Sequence, residues 1–221
     1  MFFWRRFVGA SGKTLYLCSQ SEDSDTMQQT DMTDKIEIRW ATPEDAMFVA
    51  WGVCCALHRE PDDNFLPYMA KVCSMEDVLY SYRHALIAWM GSEPVGLCLC
   101  YDGADYHAMR LRTFALFPES NEEMDFEHME DESGPGEYYI DSLAVKPEYR
   151  GRGIAKALMQ KQIAHGQSLG LECTLLVDPD NPTALALYQS LGFVYSEDCY
   201  AFGQVFWKLV LKKFLREVKK E

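Results

Sequence analysis

Between Asp141 and Leu158 the chain places Lys146, Arg150, Arg152 and Lys156 around two glycines, Gly151 and Gly153. An apolar run ends at Val145, a short loop with Pro147 follows, and a helix-forming run opens at the glycines. The first turn of a helix offers unpaired N–H groups and the positive end of its dipole, which together hold anions. Glycine lets the backbone approach a ligand with no Cβ in between. The chemistry expected of this turn is diphosphate binding. A dinucleotide-binding G-x-G-x-x-G turn fits poorly, because Lys156 stands where the third glycine belongs. Gly9-Ala10-Ser11-Gly12-Lys13-Thr14 looks like the end of a P-loop, but Phe7 occupies the position of that motif's first glycine and no clear strand precedes it.

Other reactive residue types are present without a reactive pattern. The eight cysteines form no C-x-x-C pair, so they read as free, buried, cytosolic thiols. The five histidines show neither H-x-x-x-H nor H-E-x-x-H spacing, and no metal site is expected. Nine acidic residues from Glu119 to Glu137, with no Lys or Arg among them, allow two readings: a solvated surface loop or frayed helix, or a rim that attracts cations.

The elements that must hold these residues follow from periodicity and punctuation. Ile36 to Trp40 reads as a strand, and Thr42-Pro43-Glu44-Asp45 as a helix start leading into Ala46, Val49, Ala50, Val53 and Leu57 at helical spacing. A second helical region covers Phe65 to Tyr82 with a break near Ser74. Strands His84 to Trp89 and Pro94 to Tyr101 flank a turn at Gly91-Ser92-Glu93, and Tyr106 to Phe117 is helical. Then come strand Tyr138 to Val145, helix Gly153 to Leu169, strand Glu172 to Val177, helix Thr183 to Leu191, and strands from Phe193 to Tyr200 and Gly203 to Leu211. Residues 1–34 read as a poorly ordered extension, with Met32 an alternative start, and 212–221 as a charged tail. The domain is therefore 35–211, with an acidic insertion at about 118–137. Its class is α/β (α+β): one domain with a central mixed sheet flanked by helices.

Composition narrows the partners. The 221 residues are 48% hydrophobic and 25% charged, with net charge −13, as in a folded protein with a substantial core. That charge disfavours nucleic acid, and no apolar run is long enough to span a membrane. The expected location is cytoplasmic.

Arg150-Gly151-Arg152-Gly153-Ile154-Ala155 fits the R/Q-x-x-G-x-G/A pattern of the GNAT superfamily of acetyl-CoA-dependent N-acetyltransferases. Downstream, Asn181-Pro182-Thr183-Ala184-Leu185-Ala186-Leu187-Tyr188-Gln189-Ser190-Leu191-Gly192-Phe193 resembles that family's N-x-x-A-x-x-L-Y-x-x-x-G-F signature, in register. The resemblance is strongest over 138–211 and extends in element order back to about 36.

That resemblance implies a mostly antiparallel, twisted sheet in which strand 138–145 splays from strand 172–177. The pantetheine arm of CoA would lie in the gap, on backbone groups like those of Leu143, Ala144 and Val145. Arg150, Gly151, Arg152, Gly153, Ile154 and Ala155 would hold the pyrophosphate. The position of Asn181 often contacts the arm, and that of Tyr188 often supplies the general acid for the departing thiolate. Taken singly, Asn181 is also a good helix cap and Tyr188 a packing residue.

An amine attacks a thioester only when neutral, so a base must take its proton. Strand period two places 137, 139, 141, 143 and 145 on one face. Asp141 is therefore the first candidate base, with Glu137 further along. Some relatives carry glutamate at the position of Tyr139, which leaves the base open. The expected reaction is acetyl transfer from acetyl-CoA to a primary amine by direct attack in a ternary complex, the acceptor a cationic small molecule. A protein or peptide amine, and a CoA-binding regulatory module without turnover, are the alternatives. Family habit suggests a homodimer, though no segment marks an interface.

Overall fold

The computed structural model describes residues 35–59, 61–117 and 125–212; the expected extension 1–34 and nearly all of the tail lie outside them. Seven strands, β1 (Ile36–Trp40), β2 (Ala85–Met90), β3 (Glu93–Asp102), β4 (Glu137–Val145), β5 (Glu172–Val177), β6 (Phe193–Ala201) and β7 (Gln204–Leu211), form one sheet in the order β1-β2-β3-β4-β5-β7-β6. Every neighbouring pair is antiparallel except β4 and β5, whose crossover is a helix, as a parallel connection requires. The helices are α1 (Ala46–Ala56), α2 (Phe65–Cys73), α3 (Tyr106–Ala115), α4 (Ile154–Ser168) and α5 (Pro182–Ser190).

The sheet separates two cores. Val49, Val53, Met69, Tyr106 and Phe114 of α1, α2 and α3 pack with Ile87, Leu97, Leu99, Tyr101 and Tyr139 on one face. Ile154, Leu158 and Met159 of α4 and Ala184 and Tyr188 of α5 pack with Cys98, Cys100, Tyr138, Ile140, Leu143 and Val145 on the other. A strand covered on both faces has no polar side to show, which is why β3 reads as an unbroken apolar run rather than an alternation.

The helical region expected over 65–82 ends at Cys73, at the break expected near Ser74, and does not resume as an α-helix before 82. The backbone beyond it is taken over by α3: Thr113 Oγ1 accepts from Leu79 N at 2.8 Å, and Arg112 Nε donates to the Asp77 carbonyl at 2.9 Å. Groups that could have continued the helical ladder are satisfied by another element, so nothing drives a further turn.

The parity expected of β4 also fails. Ser142 faces Leu99 and Ile140 faces Cys100, so Asp141 is the extra residue of a β-bulge, opposite no residue in the β3–β4 register. A bulge inserts one residue and reverses the alternation beyond it. Leu143 and Val145 therefore join Tyr138 and Ile140 in the α4–α5 core, while Tyr139 lies in the α1–α3 core. Positions 137 to 145 do not share one face.

The described part of the acidic insertion is not a solvated loop throughout. Glu132 is fully buried, accepting hydrogen bonds from Tyr106 Oη at 2.7 Å and Tyr139 Oη at 2.5 Å. Arg110, equally buried, donates to the carbonyls of Met129 and Glu130, both at 2.9 Å, and meets Asp131 at 2.9 Å. Phe126 stacks on Phe114 with ring centroids 4.0 Å apart. Residues 125–133 thus form a strap fastened over the α1–α3 face; residues 118–124 lie outside the described residues.

Candidate active site

The pairing of β4 with β5 runs from Glu137 opposite Glu172 to Ile140 opposite Leu175 and stops there. From Asp141 to Val145 the β5 side of β4 has no partner strand among the described residues, so the two strands part where the bulge lies. Leu143, Ala144 and Val145 line that parting.

The glycine turn stands at the end of β4. Pro147–Tyr149 make one 3-10 turn, held to the β2–β3 hairpin because Glu93 accepts from Lys146 Nζ at 2.6 Å and Tyr149 Oη at 2.7 Å. Lys146 is thereby committed to Glu93 as a partner. Arg150 Nε donates to the Val145 carbonyl at 3.1 Å, and the Arg152 guanidinium lies over the Tyr149 ring. Gly151 and Gly153 take φ of +75° and +79°, a region that costs residues with a Cβ about 1–2 kcal/mol each. A Cβ built on either would meet nothing within 4 Å, so open space faces both. No side chain caps α4 at Gly153, which leaves its leading N–H groups to a ligand. Ile154 and Ala155 supply the next of these N–H groups. An open, glycine-lined turn at an uncapped helix start suits a diphosphate.

On α5, Asn181 Oδ1 accepts from Ala184 N at 3.0 Å, the capping role that its sequence position allows without any ligand. Tyr188 is buried on the α4–α5 face, its ring edge-on to Phe193. Burial raises its phenol well above the usual value, so the proton stays on near neutral pH. Its hydroxyl makes no hydrogen bond to a described residue.

Asp141 lies on the other side of the sheet. Its Oδ2 accepts from Tyr101 Oη at 2.6 Å and its Oδ1 from Ser142 Oγ at 2.7 Å. The bulge therefore sets the two candidate catalytic groups on opposite faces at the point where β4 leaves β5. Glu137, the alternative base, is engaged: Lys208 Nζ lies 2.7 Å from it, and Ser133 and Thr174 donate to it.

The sequence did not single out Tyr101, Ser142, Tyr106 or Glu132. Ser142 adjoins Asp141 and was within reach of inspection. The pairing of Tyr101 with Asp141, forty residues apart, exists only once β3 lies beside β4. The thiols need no reactive role: burial lifts Cys54 and Cys199 to about 12 and Cys173 to about 11, leaving little thiolate at neutral pH.

A recess of about 530 Å³ opens between the strap and the β6–β7 turn, lined by Asp125, His128, Met129, Glu130, Tyr200 and Phe202. Two of its lining residues are acids: Asp125 is bonded to His128, and Glu130 accepts from Tyr200 N at 2.8 Å. No helix among the described residues is long and apolar enough to cross a membrane.

Comparison with known proteins agrees with this geometry. Residues 51–193 match the family model described as Acetyltransferase (GNAT) family. A crystal structure of an N-acetyltransferase from Staphylococcus aureus Mu50 superposes with a TM-score of 0.68 at 25% identity, over 79% of this chain and 99% of that one. A stretch of 69 residues, 31% of this chain, is 50% identical to mycothiol acetyltransferase of Paenarthrobacter aurescens. Another of 75 residues, 34% of this chain, is 40% identical to the protein of that name from Mycobacteroides abscessus. These matches span 21% and 25% of the two relatives' own lengths.

Proposed function

The chain belongs to the acetyltransferase (GNAT) family, and on that premise we propose that it moves the acetyl group of acetyl-CoA to a primary amine by direct attack in a ternary complex. The observation that carries the reading is the pair of left-handed, unobstructed glycines at the uncapped start of α4, beside the strand parting. Gly151, Gly153 and the first N–H groups of α4, with Arg150 and Arg152 alongside, hold the diphosphate. The parted edge of β4 at Leu143, Ala144 and Val145 receives the pantetheine arm, with Asn181 close to it. Acetyl-CoA supplies an activated acyl group and a thiolate leaving group.

The chain's own residues then divide the proton work. Asp141, on the α1–α3 face, takes a proton from the acceptor ammonium and leaves a neutral amine. Tyr188, on the α4–α5 face, gives its proton to the departing sulfur, which its raised pKa allows because the phenol is protonated at working pH. The two transfers occur on opposite sides of the sheet, so neither group competes for the other's proton.

The acceptor is a cationic small molecule. The acidic recess by the strap and the net charge of −13 support this over a neutral one. The stretch shared with the mycothiol acetyltransferases supports acetyl transfer and leaves the acceptor open, since so little of those proteins is matched. The test is a mass-spectrometric screen with acetyl-CoA against polyamines, aminoglycosides, arylalkylamines and peptide N-termini. An acetylated polycation is the expected product. A preference for peptide termini would move the acceptor to the second class. Tight CoA binding with no product from any amine would favour a regulatory module, and no CoA binding would overturn the reading.

A further inference from the structure

A carboxylate stands beside the proposed anion site, where Coulomb's law alone would not put one. Glu93 opens β3 just after the hairpin turn, paired with Met90. It accepts from Lys146 Nζ at 2.6 Å and from Tyr149 Oη at 2.7 Å. Lys146 first and Tyr149 second hold its carboxyl below the usual carboxylate range, so it is charged near neutral pH. A charged carboxylate here repels a diphosphate and draws Lys146 away from it. An exposed ion pair also adds little to stability. Neither attraction nor stability accounts for Glu93, but geometry does.

Both of its donors belong to the segment that leads into the glycine turn. Lys146 N donates to the Val95 carbonyl at 2.9 Å. Beyond it the backbone bonds are local: Tyr149 N to the Lys146 carbonyl at 3.0 Å, and Arg150 N to the Pro147 carbonyl at 3.2 Å. Such bonds set the shape of a 3-10 turn but not its direction. Glu93, from a different element, grips the segment on either side of Pro147 and Glu148. Its bond to Tyr149 Oη also fixes the ring, which packs at the edge of the α4–α5 core. The Arg152 guanidinium lies over that ring, 5.4 Å from its centroid, within cation–π reach. A continuous chain of contacts thus runs from Glu93 through Tyr149 to the arginine between the two glycines.

We propose that Glu93 is a positioning residue for acetyl-CoA: through Lys146 and Tyr149 it aims the glycine turn and Arg152 at the diphosphate, although its own charge opposes that anion. The inference rests on the diphosphate lying at Gly151 and Gly153, as in the proposed function.

The test is calorimetric titration of CoA into the wild type, Glu93→Ala, Glu93→Gln, Tyr149→Phe and Gly153→Ala, with thermal melts to confirm folding. The sign of the change decides. A Glu93 that acted only through its charge would repel CoA, so Glu93→Ala would bind CoA as well as the wild type or more tightly, with Lys146 released. As a positioning residue, its loss weakens CoA binding by about 3- to 10-fold. Tyr149→Phe keeps the ring, drops its bond to Glu93, and weakens binding similarly. Glu93→Gln keeps an acceptor for Tyr149 without the charge and stays within about 2-fold of the wild type. Unchanged or tighter binding in Glu93→Ala, or unchanged binding in a folded Tyr149→Phe, overturns the inference, while a weakened Gly153→Ala leaves the diphosphate site standing. An unweakened Gly153→Ala removes that site, and the inference with it.

Discussion

Gly153→Ala separates what the turn does for the fold from what it does for the ligand. Gly153 has φ of +79°, and a Cβ there meets nothing within 4 Å, so the protein alone feels only the backbone cost. That cost is about 1–2 kcal/mol, a fall in Tm of about 2–8 °C for a domain of this size. Gly170, just past the other end of α4, has φ of +76° and equally open space. Gly170→Ala should therefore lose the same stability. Only at Gly153 does the new methyl enter the space assigned to the diphosphate in the proposed function. Losing one charge-assisted N–H contact there costs about 1.5–3 kcal/mol, or about 10- to 150-fold in affinity. Thermal melts without ligand and calorimetric titration with CoA read the two effects separately. Matched melting temperatures with a CoA affinity lost only in Gly153→Ala is the expected outcome. Equal CoA affinity in the two variants would refute the placement of the diphosphate.

Three further outcomes are expected. Tyr188→Phe should lower kcat about 100-fold with little change in KM or in CoA affinity; a full kcat at every pH would remove the acid role. Glu132→Ala leaves the buried hydroxyls of Tyr106 and Tyr139 without this acceptor and should cost about 2–5 kcal/mol in urea unfolding, where a loss under 1 kcal/mol would show that the strap is not fastened there. Burial, the largest influence on His84, lowers its pKa below the ordinary 6.5, so the unfolded chain takes up the proton first. Its contribution is intact above 6.5 and is lost as the pH falls through the folded value, and His84→Asn should flatten the stability profile between pH 7 and 5.5; an unchanged slope would count against it.

What was legible in the sequence was local. The glycine turn, the Asn181 cap and the strands and helices from 138 onward depend on residues a few positions apart, and punctuation marks their ends. The face of Asp141 was not legible, because a bulge belongs to the register between β3 and β4 rather than to β4 itself. With parity assumed, Asp141 fell beside Leu143; with the bulge, it faces Tyr101. Glu132 was hidden for a similar reason. One acid in an acidic run reads as solvated until Tyr106 and Tyr139, distant in sequence, are brought to it by α3 and β4. The break near Ser74 was legible, but that no helix resumes beyond it likewise depends on Arg112 and Thr113, more than thirty residues on.

The two cores also divide how this molecule can change. The glycine turn, α4 and Tyr188 belong to one side of the sheet, whereas the strap with Asp125 and Glu130 is anchored through Arg110 and Glu132 to the other. Substitutions along 125–130 can redraw the wall of the acidic recess while Arg110 and Glu132 keep the strap fastened. Under the proposed function, a change of acceptor and a change of acetyl-donor binding would therefore fall on opposite faces of the sheet.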